Sequence, residues 1–196
     1  MNLGIRSACI GWALLGLLSA CVEAPTVPPT SPPSLPAADE REIADIRSRA
    51  NAGQADAQNE LGLRYNEGRG LPQNFALAKD WFQKAADQGH AGAQVNLGTL
   101  YFLGQGAPES DQMALSWFRR AAEQRNALAF AKLGLMYAQG RGVSQDFIEA
   151  HMWYNLSASH GEKRAMESRE ALAKQMTPAQ LAEAQRKARD WAPKSR

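Results

Sequence analysis

Three histidines, two cysteines and three Gly-x-Gly pairs are the residues of this chain with the means to ligate a metal, attack a carbonyl or cradle a phosphate. Their spacing narrows that chemistry. His90, His151 and His160 share no HExxH or other metal spacing, so they are expected on the surface. The pairs Gly68/Gly70, Gly104/Gly106 and Gly140/Gly142 never extend to Gly-x-Gly-x-x-Gly. They recur at a fixed interval of 36 residues, which reads as turns rather than phosphate loops. Carboxylates are scattered along helical stretches, and no two stand out as an acid and base pair. Neither Ser-x-x-Lys nor Lys-Thr-Gly occurs, so serine acylation has no motif here. No catalytic residue, metal site or cofactor is expected.

The chain has 196 residues, a net charge of +2, 44% apolar and 21% charged residues. That excludes a wholly disordered chain and a polytopic membrane protein. No basic block offers a footprint for nucleic acid. Both cysteines lie within the first 21 residues, and six of the ten prolines lie between residues 25 and 36.

Residues 1–20 hold one cation, Arg6, and then the apolar run Ala8–Leu18, too short to span a bilayer and suited to a signal-peptide core. The run ends in Leu18-Ser19-Ala20-Cys21, which resembles the lipobox of bacterial lipoproteins. That resemblance implies lipid attachment at Cys21 and cleavage just before it. Several acyl chains would hold the protein to a membrane where one would not. No Asp follows the cysteine, so the resemblance favours the outer membrane, facing the periplasm. An ordinary secretory signal or an uncleaved anchor are the other readings of the same segment. With Cys9 removed and Cys21 acylated, the mature body would have no thiol for a disulfide, a zinc site or a nucleophile. Residues 21–38 then form a tether in which prolines 25, 28, 29, 32, 33 and 36 forbid helix and sheet, leaving extended polyproline-II or disorder.

The body is periodic. Ala55, Ala57, Leu61, Gly62, Tyr65, Gly68, Gly70, Ala78, Trp81 and Ala86 each recur 36 and 72 residues later. The columns therefore contain Gly62, Gly98 and Gly134; Tyr65, Tyr101 and Tyr137; and Trp81, Trp117 and Trp153. Each unit reads as a helix A (Gly53–Glu67 in the first), a Gly-x-Gly turn and a helix B (Phe75–Gln88). Gly62 and Ala78 are expected to let helix backbones approach, Tyr65 and Trp81 to supply most of the buried area, and the turn glycines to take positive φ. Arg125 stands where the other units end helix B with glycine, and Phe130 where they carry Gln58 and Gln94.

The pattern A-x-A-x-x-x-L-G-x-x-Y-x-x-G-x-G followed by A-x-x-W-[FY]-x-x-[AS]-A resembles the Sel-one-like repeat, a relative of the tetratricopeptide repeat. The resemblance implies an all-α, right-handed solenoid of three 36-residue helix-turn-helix repeats: 54–90, 91–126 and 127–162. Capping helices are expected over 39–53 and 163–196, the latter containing a Thr177-Pro178-Ala179-Gln180 helix start.

Relatives bind partners along the concave face of the A helices. With Ala57, Leu61 and Tyr65 turned inward, the opposite positions are Asp56, Asn59, Leu63, Asn66 and Glu67 in the first unit. They are Gly92, Val95, Thr99, Phe102 and Leu103 in the second, and Leu128, Ala131, Leu135, Ala138 and Gln139 in the third. Val95, Phe102 and Leu103 suggest an apolar patch in that groove; packing against neighbouring helices or under the tether is the competing reading. The expected function is a non-catalytic, membrane-tethered adaptor in the bacterial cell envelope, holding a protein or peptide partner. Two alternatives stay open: a cell-wall or β-lactam-active enzyme akin to cysteine-rich relatives, and a purely structural lipoprotein.

Overall fold

The computed structural model describes residues 37–191. The signal segment, Cys21, all but the last two residues of the tether and residues 192–196 lie outside them. Among the described residues there are nine α-helices and no strand. They are α1 (Ala37–Asn51), α2 (Ala55–Glu67), α3 (Phe75–Asp87), α4 (Ala91–Leu103), α5 (Asp111–Glu123), α6 (Ala127–Gln139), α7 (Phe147–Ser159), α8 (Lys163–Ala173) and α9 (Pro178–Asp190). The pairs α2/α3, α4/α5 and α6/α7 are the three repeats. Each B helix packs on its own A helix and on the A helix that follows, which makes an all-α solenoid. Helix α1 starts at Ala37, two residues inside the expected tether.

The turns follow from local chemistry. Gly68, Gly104 and Gly140 end the A helices in the left-handed region, at φ 71°, 65° and 70°, where a side chain would be strained. Asn74, Ser110 and Asp146 start the B helices, each accepting a backbone N–H with its side chain. The backbone N–H of these same three residues donates to the carbonyls of Tyr65, Tyr101 and Tyr137, at 2.8, 2.9 and 3.0 Å. The second turn glycine has a different task. A Cβ on Gly106 would lie 2.2 Å from the Phe75 carbonyl oxygen, and one on Gly142 would lie 3.0 Å from that of Asp111. Each of these turns thus seats on the start of the preceding repeat's B helix. Arg125 keeps the turn geometry with φ 60°, although it lacks glycine's freedom.

One expectation about the repeat columns is corrected. Gly62, Gly98 and Gly134 do not serve contact between helix backbones. A Cβ there would lie 2.6–2.7 Å from the ring of Phe82, Phe118 or Tyr154, so the glycine is a socket for the aromatic that follows each tryptophan. The tryptophan column is uneven: Trp117 is buried in the core, while Trp81 and Tyr65 are half-buried, Trp81 with the Lys84 ammonium 3.9 Å above its ring. Phe82, Phe118 and Phe130 are the largest fully buried side chains.

The ends close differently. Helix α1 buries Ile43, Ile46 and Ala50, the last two in a cluster with Ala57 and Leu61 of α2. At the other end α8 packs on α7 as a further A helix would. Helix α9 opens with the expected capping box at Thr177 and Gln180. It then lies across α7 and carries Trp191 onto Phe130 and Trp153.

A candidate partner cleft on the A helices

The face opposite Leu61 and Tyr65 is less open than a single helical wheel implies. Asn59 accepts a hydrogen bond from the Asn96 side chain at 2.9 Å, joining α2 to α4. That column therefore faces the next A helix. Its second member, Val95, is 4% exposed and packs with Ala114, Leu115 and Phe130, so it is core and not groove. Phe102 is half-buried beneath Arg141, whose guanidinium stands 3.7 Å over the ring. Arg141 also donates to the Phe102 carbonyl at 3.1 Å and to the carboxylates of Asp111 and Glu109, which ties the third repeat to the second. Of the expected patch only Leu103 stands free, at 53% exposure. Thr99 turns its hydroxyl onto the Val95 carbonyl, Leu63 packs partly into the core, the Asn66 carbonyl accepts from Gln73, and Glu67 pairs with Arg69. Gln139 is exposed at the end of α6.

A concavity lies one repeat further on. A cleft of about 280 Å³ opens between α6, α7 and α8. Leu128, Ala131 and Leu135 form its apolar wall, and Leu128 is 49% exposed. Lys132, Glu162, Arg164 and Ser168 supply its polar groups. Burial alone pushes the Lys132 ammonium below the ordinary lysine range. Tyr154 forms the floor; burial raises its phenol, and a hydrogen bond to Ser168 opposes that shift.

Sequence reasoning located Leu128, Ala131 and Leu135 but missed Lys132, Glu162, Arg164 and Ser168. Extending the 36-residue register into α8 places Arg164 in the column of Leu128 and Ser168 in that of Lys132. The signal was available once α8 was counted as a fourth A helix.

The histidines divide. The ring of His90 caps α4, its Nδ1 accepting the Ala93 N–H at 3.0 Å while Nε2 faces Asp56 of the preceding repeat at 3.2 Å. His160 is exposed, with its ring 5.4 Å from that of Phe130. His151 contradicts the surface expectation: it is 4% exposed, and its Nδ1 has no partner among the described residues. Burial first, and the Arg169 charge second, push its pKa below the ordinary value. Among the described residues no group of three metal-ligating side chains converges, and no helix is long and apolar enough to cross a membrane.

Residues 55–90, 91–126 and 127–162 each match the Sel1 repeat family. Solved structures share the fold, and two of them illustrate it. One is a protective antigen present in uropathogenic Escherichia coli strains, displaying an SLR fold. It has a TM-score of 0.72 and 33% identity, over 76% of this chain and 32% of that one. The other is a Sel1 repeat protein from Oxalobacter formigenes, with a TM-score of 0.62 and 35% identity, over 67% of this chain and 55% of that one. The chain thus spans a third of the first relative and about half of the second. No curated protein matches it in sequence.

Proposed function

The chain belongs to the Sel1-repeat family, and on that premise we propose that it is a non-catalytic adaptor, tethered by lipid at Cys21 to a bacterial envelope membrane. In this reading it holds a partner polypeptide against the A-helix face of its repeats. Sel1-repeat proteins generally mediate protein–protein interaction. The supporting observation here is the cleft between α6, α7 and α8. Its wall of Leu128, Ala131 and Leu135 stands beside Lys132, Glu162, Arg164 and Ser168, and a concave site that joins apolar lining to a few polar groups is the kind that takes a ligand.

Crosslinking mass spectrometry on intact envelopes tests this. The native chain is compared with a Leu103→Asp, Leu128→Asp double variant. Both positions are about half exposed, so the helices should persist. The expected result is a discrete partner captured by the native protein and lost in the variant, with an acylated Cys21 in the same spectra. Capture of the same set by both forms, or of nothing, would contradict the reading.

A further inference from the structure

We propose that a second cleft, on the B-helix side between α7 and α9, binds a small zwitterion: a quaternary ammonium joined within a few bonds to an anionic group. The cleft measures about 450 Å³, inside the range of roughly 300–1,000 Å³ typical of ligand sites. It shares no lining residue with the A-helix cleft, so the adaptor reading stands or falls without it.

The repeats themselves display what this indole position takes. Trp81 holds the Lys84 ammonium 3.9 Å from its ring centroid, and Trp117 holds the Arg120 guanidinium at 4.5 Å. In the third unit the position of that cation is filled by Leu156, and among the described residues no cation stands over Trp153. Helix α9 brings a second indole instead. Trp153 and Trp191 both line the cleft, with centroids 5.8 Å apart and planes at 69°, and so form two walls of a corner. Aromatic walls set at an angle are the usual seat of a quaternary ammonium.

Four ionised side chains share the lining, two of each sign. Lys187 and Glu149 neutralise each other at 2.6 Å. Asp190 and Arg186 are exposed and form no ion pair among the described residues. Asp190 stands in the last turn of α9, where the helix dipole disfavours a carboxylate. A bound cation would offset that cost. Arg186 lies one turn earlier, about 6 Å along the axis, and would take the anion of the same ligand. The type of ammonium follows from the acceptors. A primary ammonium brings three donors, but Asp190 is the one carboxylate of the cleft outside an ion pair. A quaternary ammonium brings no donor and sets its methyl groups against the indoles. Phosphocholine, free or as a lipid headgroup, and glycine betaine carry this chemistry.

The test uses the full chain with isotope-labelled tryptophan in dodecyl maltoside micelles, which contain no ammonium. The probes are phosphocholine and dimethylbutyl phosphate, its isostere with carbon in place of the charged nitrogen. The indole N–H resonances of Trp153 and Trp191 should shift saturably with phosphocholine, and those of Trp81 and Trp117 should not. The isostere should bind about tenfold more weakly. Asp190→Asn should weaken phosphocholine about threefold, the worth of an exposed ion pair. Arg186→Gln should weaken phosphocholine by a similar factor and leave choline unchanged, a split that misfolding does not produce.

Nanodiscs separate the sources of the ligand. Indole resonances already shifted in phosphatidylcholine discs, relative to phosphatidylglycerol discs, assign the lipid headgroup. Resonances alike in both discs and moved only by added phosphocholine or glycine betaine assign a free solute. Equal binding of phosphocholine and its isostere, unchanged affinity in Asp190→Asn, or no shift at millimolar phosphocholine would overturn the proposal.

Discussion

The first two repeats and the third solve one packing problem with opposite chemistry. In the first, Gln58 is buried, donates to the Ala50 carbonyl at the end of α1 at 3.2 Å, and accepts from Gln88 at 2.6 Å. In the second, Gln94 donates to Ala86 at 3.2 Å and accepts from Gln124 at 2.9 Å. In the third, Phe130 and His160 occupy the corresponding columns, and the lock becomes a cluster of rings. Phe130 lies 5.8 Å from Trp153, 5.1 Å from Trp191 and 5.4 Å from His160. The glutamine lock is complete within two adjacent units, because its amide finds both partners there. The aromatic lock is not, because its apolar faces stay wet until Trp191 arrives from α9. Phe130 is therefore one half of a capping device, and the departure of the third repeat from the column is explained by the end of the array.

Breaking the aromatic lock should cost most. Phe130→Ala is expected to lower unfolding free energy by about 3–5 kcal/mol, the range for a fully buried aromatic. Trp191→Ala should lose part of the same energy, and the double variant should lose less than the sum of the two, since both remove one contact. Denaturant unfolding followed by tryptophan emission checks all three.

Breaking the polar lock should cost less. Gln94→Met keeps the volume but removes its bond to the Ala86 carbonyl, which keeps the one from the Gly89 N–H, and the acceptor of the exposed Gln124 amide. About 1 kcal/mol is expected from the same unfolding curves, the net worth of a hydrogen bond whose partners stay satisfied. A cost for Gln94→Met that equals or exceeds the one for Phe130→Ala would erase the distinction drawn between the two locks.

The smallest effect concerns pH. Unfolded, His151 protonates near its ordinary value of 6.5, whereas folded it does so only at lower pH. Between those two values the unfolded chain holds the additional proton. Stability contributed by the neutral ring is therefore complete above about pH 7, falls as pH drops through 6.5, and levels off below the native value. His151→Leu should flatten that part of the stability profile. An unchanged slope between pH 7 and pH 5 would mean that the ring titrates freely.

Much of the scaffold was legible in the residues. The 36-residue period, the helix pairs, the positive-φ turns and the Thr177 cap all depend on local chemistry, and the structure places them within two residues. What stayed hidden depends on third parties. A wheel drawn for α4 shows that Val95 points away from Leu97 and Tyr101, but not that α5 and α6 cover it. The Gly62 column announces a close approach, but not that a ring rather than a backbone fills it. His151 shares its repeat column with the partly exposed Lys79 and with Leu115, which is buried, so the column does not decide the exposure of its third member. For the cleft, Leu128, Ala131 and Leu135 could be read from the repeat register. Lys132 and Arg164 follow from the same register only when α8 is taken as a fourth A helix that continues the row.

Site-directed photo-crosslinking in living cells bears most directly on the adaptor role. A photoreactive residue is placed at Leu128, on the cleft, or at Leu77, which is similarly exposed but lies on helix α3. The expected outcome is one discrete adduct from position 128 and none from position 77. An adduct from position 77 alone, or from neither, would contradict a partner held against the A helices.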